Sequence, residues 1–287
     1  MNLVPRKLAS GYRSLLKLPP PWVNEYIIDK EFMVREGTIR KNPDKDDGWL
    51  FACASLAHRI FDIGSNIGQA ARLELYSASV EHVLLVDPNP LALSIAAENL
   101  ILNGLCDRAS FERSFISDNP SEEIEFFTVA TGAAGSMFKQ HAKTASRRGL
   151  HYKVHTNTID KLVEKYGVPD FIKIDIEGAE SFALRGASYC MRQHKTRFLV
   201  EMHSNPDLPM SINAQKVKSI CESVGYSAWY LSKNQELISA DQLSTRGRCH
   251  LLLQPNDWAW PKIITKIAEY TPVDAALRSS VMVNNHH

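Results

Sequence analysis

Apolar and polar positions follow two rhythms along this chain, and the switches between them outline the elements. His58-Arg59-Ile60-Phe61-Asp62-Ile63-Gly64 reads as a strand running into a glycine turn, and 67–78 carries helical spacing. His82-Val83-Leu84-Leu85-Val86-Asp87 is an unbroken apolar run, as expected for a strand buried on both faces. Asp87-Pro88-Asn89-Pro90 breaks the chain, and 91–102 is an amphipathic helix that stops near Asn103-Gly104. Strands are predicted at 109–117, 122–129, 170–175, 197–201, 226–231 and 250–253, and helices at 157–166, 179–187 and 214–224. Strand and helix alternate, which predicts an α/β fold with a mostly parallel sheet and helices on both faces.

Three stretches stand apart. Residues 1–57 carry Pro19-Pro20-Pro21 and a polar turn at 42–48, and read as an N-terminal extension or cap. Within them 6–17 is basic with scattered apolar positions, as in a short solvated helix. Residues 131–156 are rich in Gly, Ala, Lys, Arg and His and read as a variable insert or lid on a catalytic domain spanning 58–254. Residues 255–287 form a tail with no clear place in the sheet, and the closing His286-His287 carries no argument.

Lys plus Arg number 33 and Asp plus Glu 32, a balance that argues against a nucleic-acid binder held by bulk charge. The five cysteines, Cys53, Cys106, Cys190, Cys221 and Cys249, are odd in number and widely spaced, which disfavours a disulfide framework or a thiolate zinc site. No stretch approaches the roughly 18 apolar residues of a membrane span, and the first residues lack the apolar run of a signal peptide. The expectation is a cytoplasmic protein whose oligomeric state is open.

The first candidate chemistry is the turn 61–68, FDIGSNIG. Glycine between a strand and a helix allows a tight bend and a close approach to a ligand, and the helix N-terminus offers free N–H groups to an anion. Asp87 ends the next strand, where a carboxylate can accept hydrogen bonds from both ribose hydroxyls of a nucleoside. The dinucleotide fingerprint is not met, because Asn66 and Gln69 stand where it needs glycine. Asn66 crowds the place of a pyrophosphate, so a nucleoside ligand without one fits better. S-adenosylmethionine is such a ligand.

The second is DFIKIDIEGAE at 170–180. Alternation puts Phe171, Lys173 and Asp175 on one face of a strand. A lysine in a central strand needs a partner, and Asp175 is the nearest in sequence. Glu177 and Glu180 fall at a glycine turn and helix start. In the next strand Leu199, Glu201 and His203 share a face. Ligands of open parallel sheets bind outside the carboxyl ends of the strands, so these groups should converge on one crevice. Asp175, Glu201, His203 and Lys173 are therefore the candidate catalytic residues, with His203 as proton acceptor from a substrate hydroxyl. A divalent metal on Asp175, Glu201 and His203 is the alternative use of the same groups; it is not the favoured reading, and no metal ligand is assigned.

The chain resembles the FkbM family of S-adenosylmethionine-dependent methyltransferases. The resemblance rests on FDIGSNIG (61–68), VDPNP (86–90), Asn99 to Asn103, FISD (115–118), NTIDKL (157–162), DFIKIDIEGAE (170–180) and FLVEMH (198–203), in the family's order over roughly 58–205. It implies a class I methyltransferase (Rossmann-like) fold, with a seven-stranded sheet that has one antiparallel strand near its end. It also implies O-methylation of a sugar or other natural-product hydroxyl. Carried over, it places Asp62, Gly64, Ser65, Asn66 and Gly68 around the methionine part of the cofactor and Asp87 on the ribose. Pro88 and Asn89 then shape the pocket, Ser117 and Asp118 lie near the adenine, and Asp175 faces the reacting methyl. The family often has Glu at the position of Asp87. The expected partner is a small-molecule or glycan substrate, with no nucleic acid. Asp175-Ile176-Glu177-Gly178 replaces the signature of amine methylation, and there is no Pro-Cys pair for cytosine chemistry. The alternatives are a nicotinamide-dependent oxidoreductase, a cofactor-binding protein without turnover, and an RNA 2′-hydroxyl methyltransferase.

Overall fold

The computed structural model describes residues 20–38, 42, 44–128, 151–204 and 208–284. Strands β1 (Trp22–Ile27) and β2 (Lys30–Arg35) form a hairpin, followed by α1 (Asp47–Ala54). Then come β3 (Arg59–Ile63), α2 (Gln69–Glu74), β4 (His82–Val86), α3 (Pro90–Leu102), β5 (Ala109–Glu112), β6 (Phe115–Ile116) and β7 (Glu123–Phe127). After residue 150 follow β8 (His151–Asn157), α4 (Ile159–Tyr166), β9 (Phe171–Ile174), α5 (Glu180–Arg185), α6 (Ser188–Arg192) and β10 (Arg197–His203). The chain continues through α7 (Met210–Ser223), β11 (Tyr226–Tyr230), β12 (Gln235–Glu236), β13 (Arg248–Pro255) and α8 (Val273–Asn284).

Among the described residues the main sheet has eight strands in the order β12-β11-β13-β10-β9-β3-β4-β5. The five from β10 to β5 are mutually parallel, and β13 runs against its neighbours β10 and β11. This is the seven-stranded arrangement with one antiparallel strand near its end, extended by the two-residue β12 at the β11 edge. The helix starts follow local chemistry. The Asn89 side chain accepts from the Leu91 N–H at 3.0 Å, and Pro90 opens α3 without a wasted donor. Thr158 caps α4 in the same way through Lys161 N–H at 3.1 Å.

Each face of the sheet packs a separate core. One holds Phe61, Ile63, Ile172, Ile174, Phe198 and Val200, covered by α4 to α7. The other holds Ile60, Val83, Leu85, Phe171, Leu199 and Leu252, covered by α1, α2 and the segment around Ile263 to Ile267. On this second face the parallel strands are apolar at their N-terminal halves and charged at their C-terminal ends, where Asp62, Lys173, Glu201 and His203 are buried; the antiparallel β13 brings the buried His250, near its own start, to the same end of the sheet. Two-residue alternation produces this stacking, since the register pairs Asp62 and Leu199 with Lys173, and Glu201 with His250.

Several expectations are corrected. The stretch 109–117 splits into β5 and β6, because the chain leaves the main sheet and β6 pairs with β8 instead. Residues 151–157 are a strand rather than part of an excursion. His151, Lys153 and His155 face solvent while Val154 and Thr156 are buried, so the basic residues form only its outer face. The rest of the expected insert, 131–150, lies outside the described residues, as does the basic piece 6–17. Within 1–57, α1 is packed into the second core through Trp49, Leu50 and Phe51. After β13 ends at Pro255, the described residues 256–284 add no further strand, but Ile263, Ile264, Ile267 and Ala276 bury against that core. No helix of the described residues is long and apolar enough to cross a membrane.

Candidate functional site

Gly64 follows β3 at φ +83, and a Cβ built on it would lie 1.9 Å from the Asp175 carbonyl oxygen. Only glycine lets the loop after β3 touch the loop after β9. The contact is fixed by Asp175 N–H donating to Ile63 O at 3.0 Å, and Gly64 N–H donating to Val86 O at 2.9 Å ties the same turn to β4. Gly68, at φ +78, faces the Cβ of Ala96 on α3 at a built distance of 2.9 Å. Asn66 and Glu177 also adopt left-handed backbone, at φ 47 and 51. Strain of this kind collects at ligand sites.

These loops frame a cleft with about 630 Å³ of free space, part of it open to solvent. It is walled by Gly64, Asn66, Asp87, Pro88, Asn89 and Asp175, and on its far side by Ser114, Phe115 and Phe126. Asp87 accepts from the N–H groups of Asn89 at 2.7 Å and Asn66 at 2.9 Å, so both oxygens are aimed by backbone. Burial outweighs these bonds and pushes the Asp87 carboxyl up to about 6. Asn66 Oδ1, Ser114 Oγ and Thr128 Oγ1 are buried at this cleft without a hydrogen-bond partner among the described residues. Buried polar atoms are normally satisfied, so the cleft presents acceptors and hydroxyls suited to a polar ligand. An adenosine with an amino-acid tail fits that donor set.

A second cavity adjoins the first and shares Gly64, Asn66, Asp175 and Glu177 with it. Its wall carries six acids, Asp44, Asp46, Asp47, Asp175, Glu177 and Glu201, against two cations, Lys173 and Arg248. Lys173 Nζ lies 3.4 Å from Asp62 Oδ1 and 3.6 Å from Asp175 Oδ2, so it has a second partner on β3 besides the expected one. Burial alone would discharge Lys173, but Asp62, Asp175, Asp46 and Glu201 hold its pKa above the ordinary value. Asp175 moves upward because of its burial and the nearby Glu201 and Glu177, with Lys173 opposing. Glu74 on α2 is fully buried beside Asp62, and burial raises it well above the carboxylate range.

His203 does not sit at the rim. It is buried, with Nδ1 2.9 Å from Glu180 Oε1 and Nε2 3.4 Å from Glu201 Oε1 and 3.6 Å from Glu177 Oε2. Glu180 is itself enclosed, accepting from Gly178 N–H at 2.8 Å and from Asn213 Nδ2 at 3.2 Å. Burial favours a neutral ring, but these carboxylates overcome it and raise the His203 pKa well above its usual value. A proton acceptor needs a free ring nitrogen, and here both nitrogens of His203 face carboxylates, Nδ1 toward Glu180 and Nε2 toward Glu201 and Glu177.

Glu201 is buried between Arg248 Nη1 at 2.8 Å, His203 and His250 Nε2 at 3.6 Å. Burial works to raise the Glu201 pKa, but His203 and His250 outweigh it and lower it. Asp175, Glu201 and His203 thus share one region, but Glu201 turns toward Arg248 and His250 rather than toward Asp175. Ser117 and Asp118 fall outside the cleft lining. Asp118 pairs with Arg185 of α5 at 2.7 Å, and Ser117 Oγ bonds to Asp118 at 3.2 Å, while Ser114, Phe115 and Ile116 just upstream face the cleft. Ser65 is buried behind the loop and lines only the second cavity. Sequence reasoning missed Tyr152, whose hydroxyl donates to Pro88 O at 3.2 Å from β8. It also missed Asp46, Arg248 and His250.

Residues 62–227, more than half of the chain, match the family model of the Methyltransferase FkbM domain. No curated protein matches the chain. Among solved structures, methyltransferase FkbM from Methylobacillus flagellatus KT superposes with a TM-score of 0.43 at 17% identity. That match covers 77% of this chain and 46% of the other, so this chain spans less than half of that protein's length. Precorrin-6y C5,15-methyltransferase from Geobacter metallireducens GS-15 superposes at 0.45 with 10% identity, covering 81% of this chain and 96% of its own. The O-methyltransferase from Bacillus cereus, in complex with SAH, gives 0.41 and 12%, covering 88% and 91%.

Proposed function

The chain belongs to the FkbM methyltransferase family, and from that premise we propose that it transfers the methyl group of S-adenosylmethionine to a hydroxyl of a sugar or other small-molecule acceptor. The observation that carries this reading is the pair of adjoining cavities that meet at Asp175. One has the strand-end Asp87 and unpartnered buried polar atoms, as a nucleoside needs. The other is open and polar, as a hydroxylated acceptor needs.

When bound, S-adenosylmethionine supplies a methyl on a positively charged sulfur, already electrophilic. Asp87, its oxygens held by backbone N–H groups, would receive the ribose hydroxyls. Asn66 Oδ1 would receive the ammonium of the methionine part. Glu177, in its left-handed turn, closes the boundary between the cavities. Asp175 would take the acceptor's O–H proton, and the cofactor would supply the methyl to that oxygen, its sulfur keeping the electron pair of the broken bond. The raised pKa of Asp175 suits a base working near neutral pH, and Lys173 beside it keeps the carboxylate available. The acidic second cavity favours neutral polyol or amine-bearing acceptors over phosphorylated ones.

The test is transfer of isotope-labelled methyl to a panel of neutral, amine-bearing and phosphorylated sugars. Labelled product from the first two classes, lost in Asp175→Asn, is expected. A panel without product, from protein that binds S-adenosylhomocysteine, refutes the acceptor class; transfer only to amines refutes O-methylation.

A further inference from the structure

Beneath the second cavity lies a group of residues that the proposed transfer does not use. His250 on β13 is 2% exposed, and neither ring nitrogen has a hydrogen-bond partner among the described residues. Its ring lies against Trp49, with centroids 5.7 Å apart, which leaves Nε2 pointing at two carboxylates. Those are Glu201 Oε2 at 3.6 Å, its register partner on β10, and Asp46 Oδ2 at 3.9 Å. Asp46 is 5% exposed and occupies the N-cap position of α1, yet its side chain makes no capping bond. An N-cap aspartate ordinarily bonds the helix N–H groups. Here the carboxylate turns away from them toward His250.

From this geometry we infer that Asp46, Glu201 and His250 form a binding site for a divalent first-row metal ion. One oxygen of each acid and the imidazole nitrogen lie within 4.8 Å of one another. Ligand atoms about 2.1 Å from an ion stand about 3 Å apart in adjacent positions and about 4 Å apart in opposite ones, so the observed spacings close on an ion with small rotations. An imidazole with two carboxylates suits manganese, iron or zinc better than magnesium, which prefers oxygen alone. Charge supports the assignment. The wall has six acids against Lys173 and Arg248. Arg248 engages the other oxygen, Glu201 Oε1, leaving Oε2 for the ion. Asp46 and Glu201 also line the second cavity, so remaining positions on the ion face the acceptor space. A hydroxyl bound there loses its proton more readily. That use rests on the proposed transfer; the binding of the ion does not.

The experiment is titration of the metal-free full chain with Mn²⁺ alone, followed by calorimetry and by loss of the free-ion paramagnetic resonance signal. One ion per chain is expected in the wild type. His250→Gln and Asp46→Asn should each weaken binding at least tenfold, while Asp175→Asn, outside the ligand set, should bind like wild type. Circular dichroism establishes that each variant is folded, and Asp46→Asn, at the start of α1 and lining the cavity, remains informative if His250→Gln is not. Absence of Mn²⁺ and of Zn²⁺ binding to the folded wild type overturns the inference. So does undiminished binding by a folded Asp46→Asn, or binding abolished by Asp175→Asn and unaffected by the other two. No cofactor or acceptor is present, so failure of the methyl-transfer reading leaves this result interpretable.

Discussion

Gly64→Ala tests the contact on which both cavities depend. Two costs add at this position. The backbone sits at φ +83, where a side chain costs about 1–2 kcal/mol. The new methyl would also lie 1.9 Å from the Asp175 carbonyl oxygen, a backbone atom that no rotamer change can move. Restoring an ordinary separation of about 3.5 Å requires the loops after β3 and β9 to part by about 1.5 Å. Those loops carry Asn66 on one side and Asp175 on the other, and a misplacement of about 1 Å at a reacting group costs on the order of a hundredfold. The variant should therefore lose about 2–4 kcal/mol of unfolding free energy in urea, as overpacking and left-handed strain combine. Its affinity for S-adenosylhomocysteine should fall by more than tenfold in calorimetry. A folded Gly64→Ala protein with wild-type stability and affinity would refute the account of why these loops touch.

Other consequences can be read in the same preparations. Affinity for S-adenosylhomocysteine should be level above neutrality and fall as pH drops through about 6, since the ribose hydroxyls donate to ionised Asp87 and burial has raised its pKa; a flat profile down to pH 5 contradicts that role. Lys173→Met leaves the fully buried Asp62 without its cation partner, and should cost about 3–5 kcal/mol in chemical denaturation; a loss below about 1 kcal/mol would mean Lys173 is not the charge that holds this face. Asp175→Asn should lower kcat by about 10²- to 10⁴-fold while cofactor affinity changes little; equal losses in both would make Asp175 a binding residue.

Much of the fold was legible because its signals are local. The apolar run of β4 needs no partner to be recognised as a doubly buried strand, β3 and β9 are marked by short apolar stretches beside glycine turns, and the Gly64 turn and Asn89-Pro90 helix start are written in adjacent residues. The candidate site was legible where it lies at strand ends, as with Asp87 and Asp175. It failed where long-range register decides. Nothing near Glu201 in sequence says that β13 runs antiparallel beside it and places His250 opposite, or that Asp46 comes within 4 Å of that ring. The surroundings of His203 have the same origin, since Glu180, Glu177 and Glu201 reach its ring from separate places in the chain. The strand β8 was hidden because its solvent face is His151, Lys153 and His155, which by composition alone look like a loop. Helix α1 is short and buried nearly all round, so no amphipathic stripe marks it as core.

The most direct test of the central claim is calorimetric titration of the purified chain with S-adenosylhomocysteine. The account predicts stoichiometric binding in the micromolar range, lost in a folded Asp87→Ala variant. Folded wild-type protein that does not bind it, or an Asp87→Ala variant that binds it equally well, would contradict the claim that the cleft at the ends of β3 and β4 is the cofactor site.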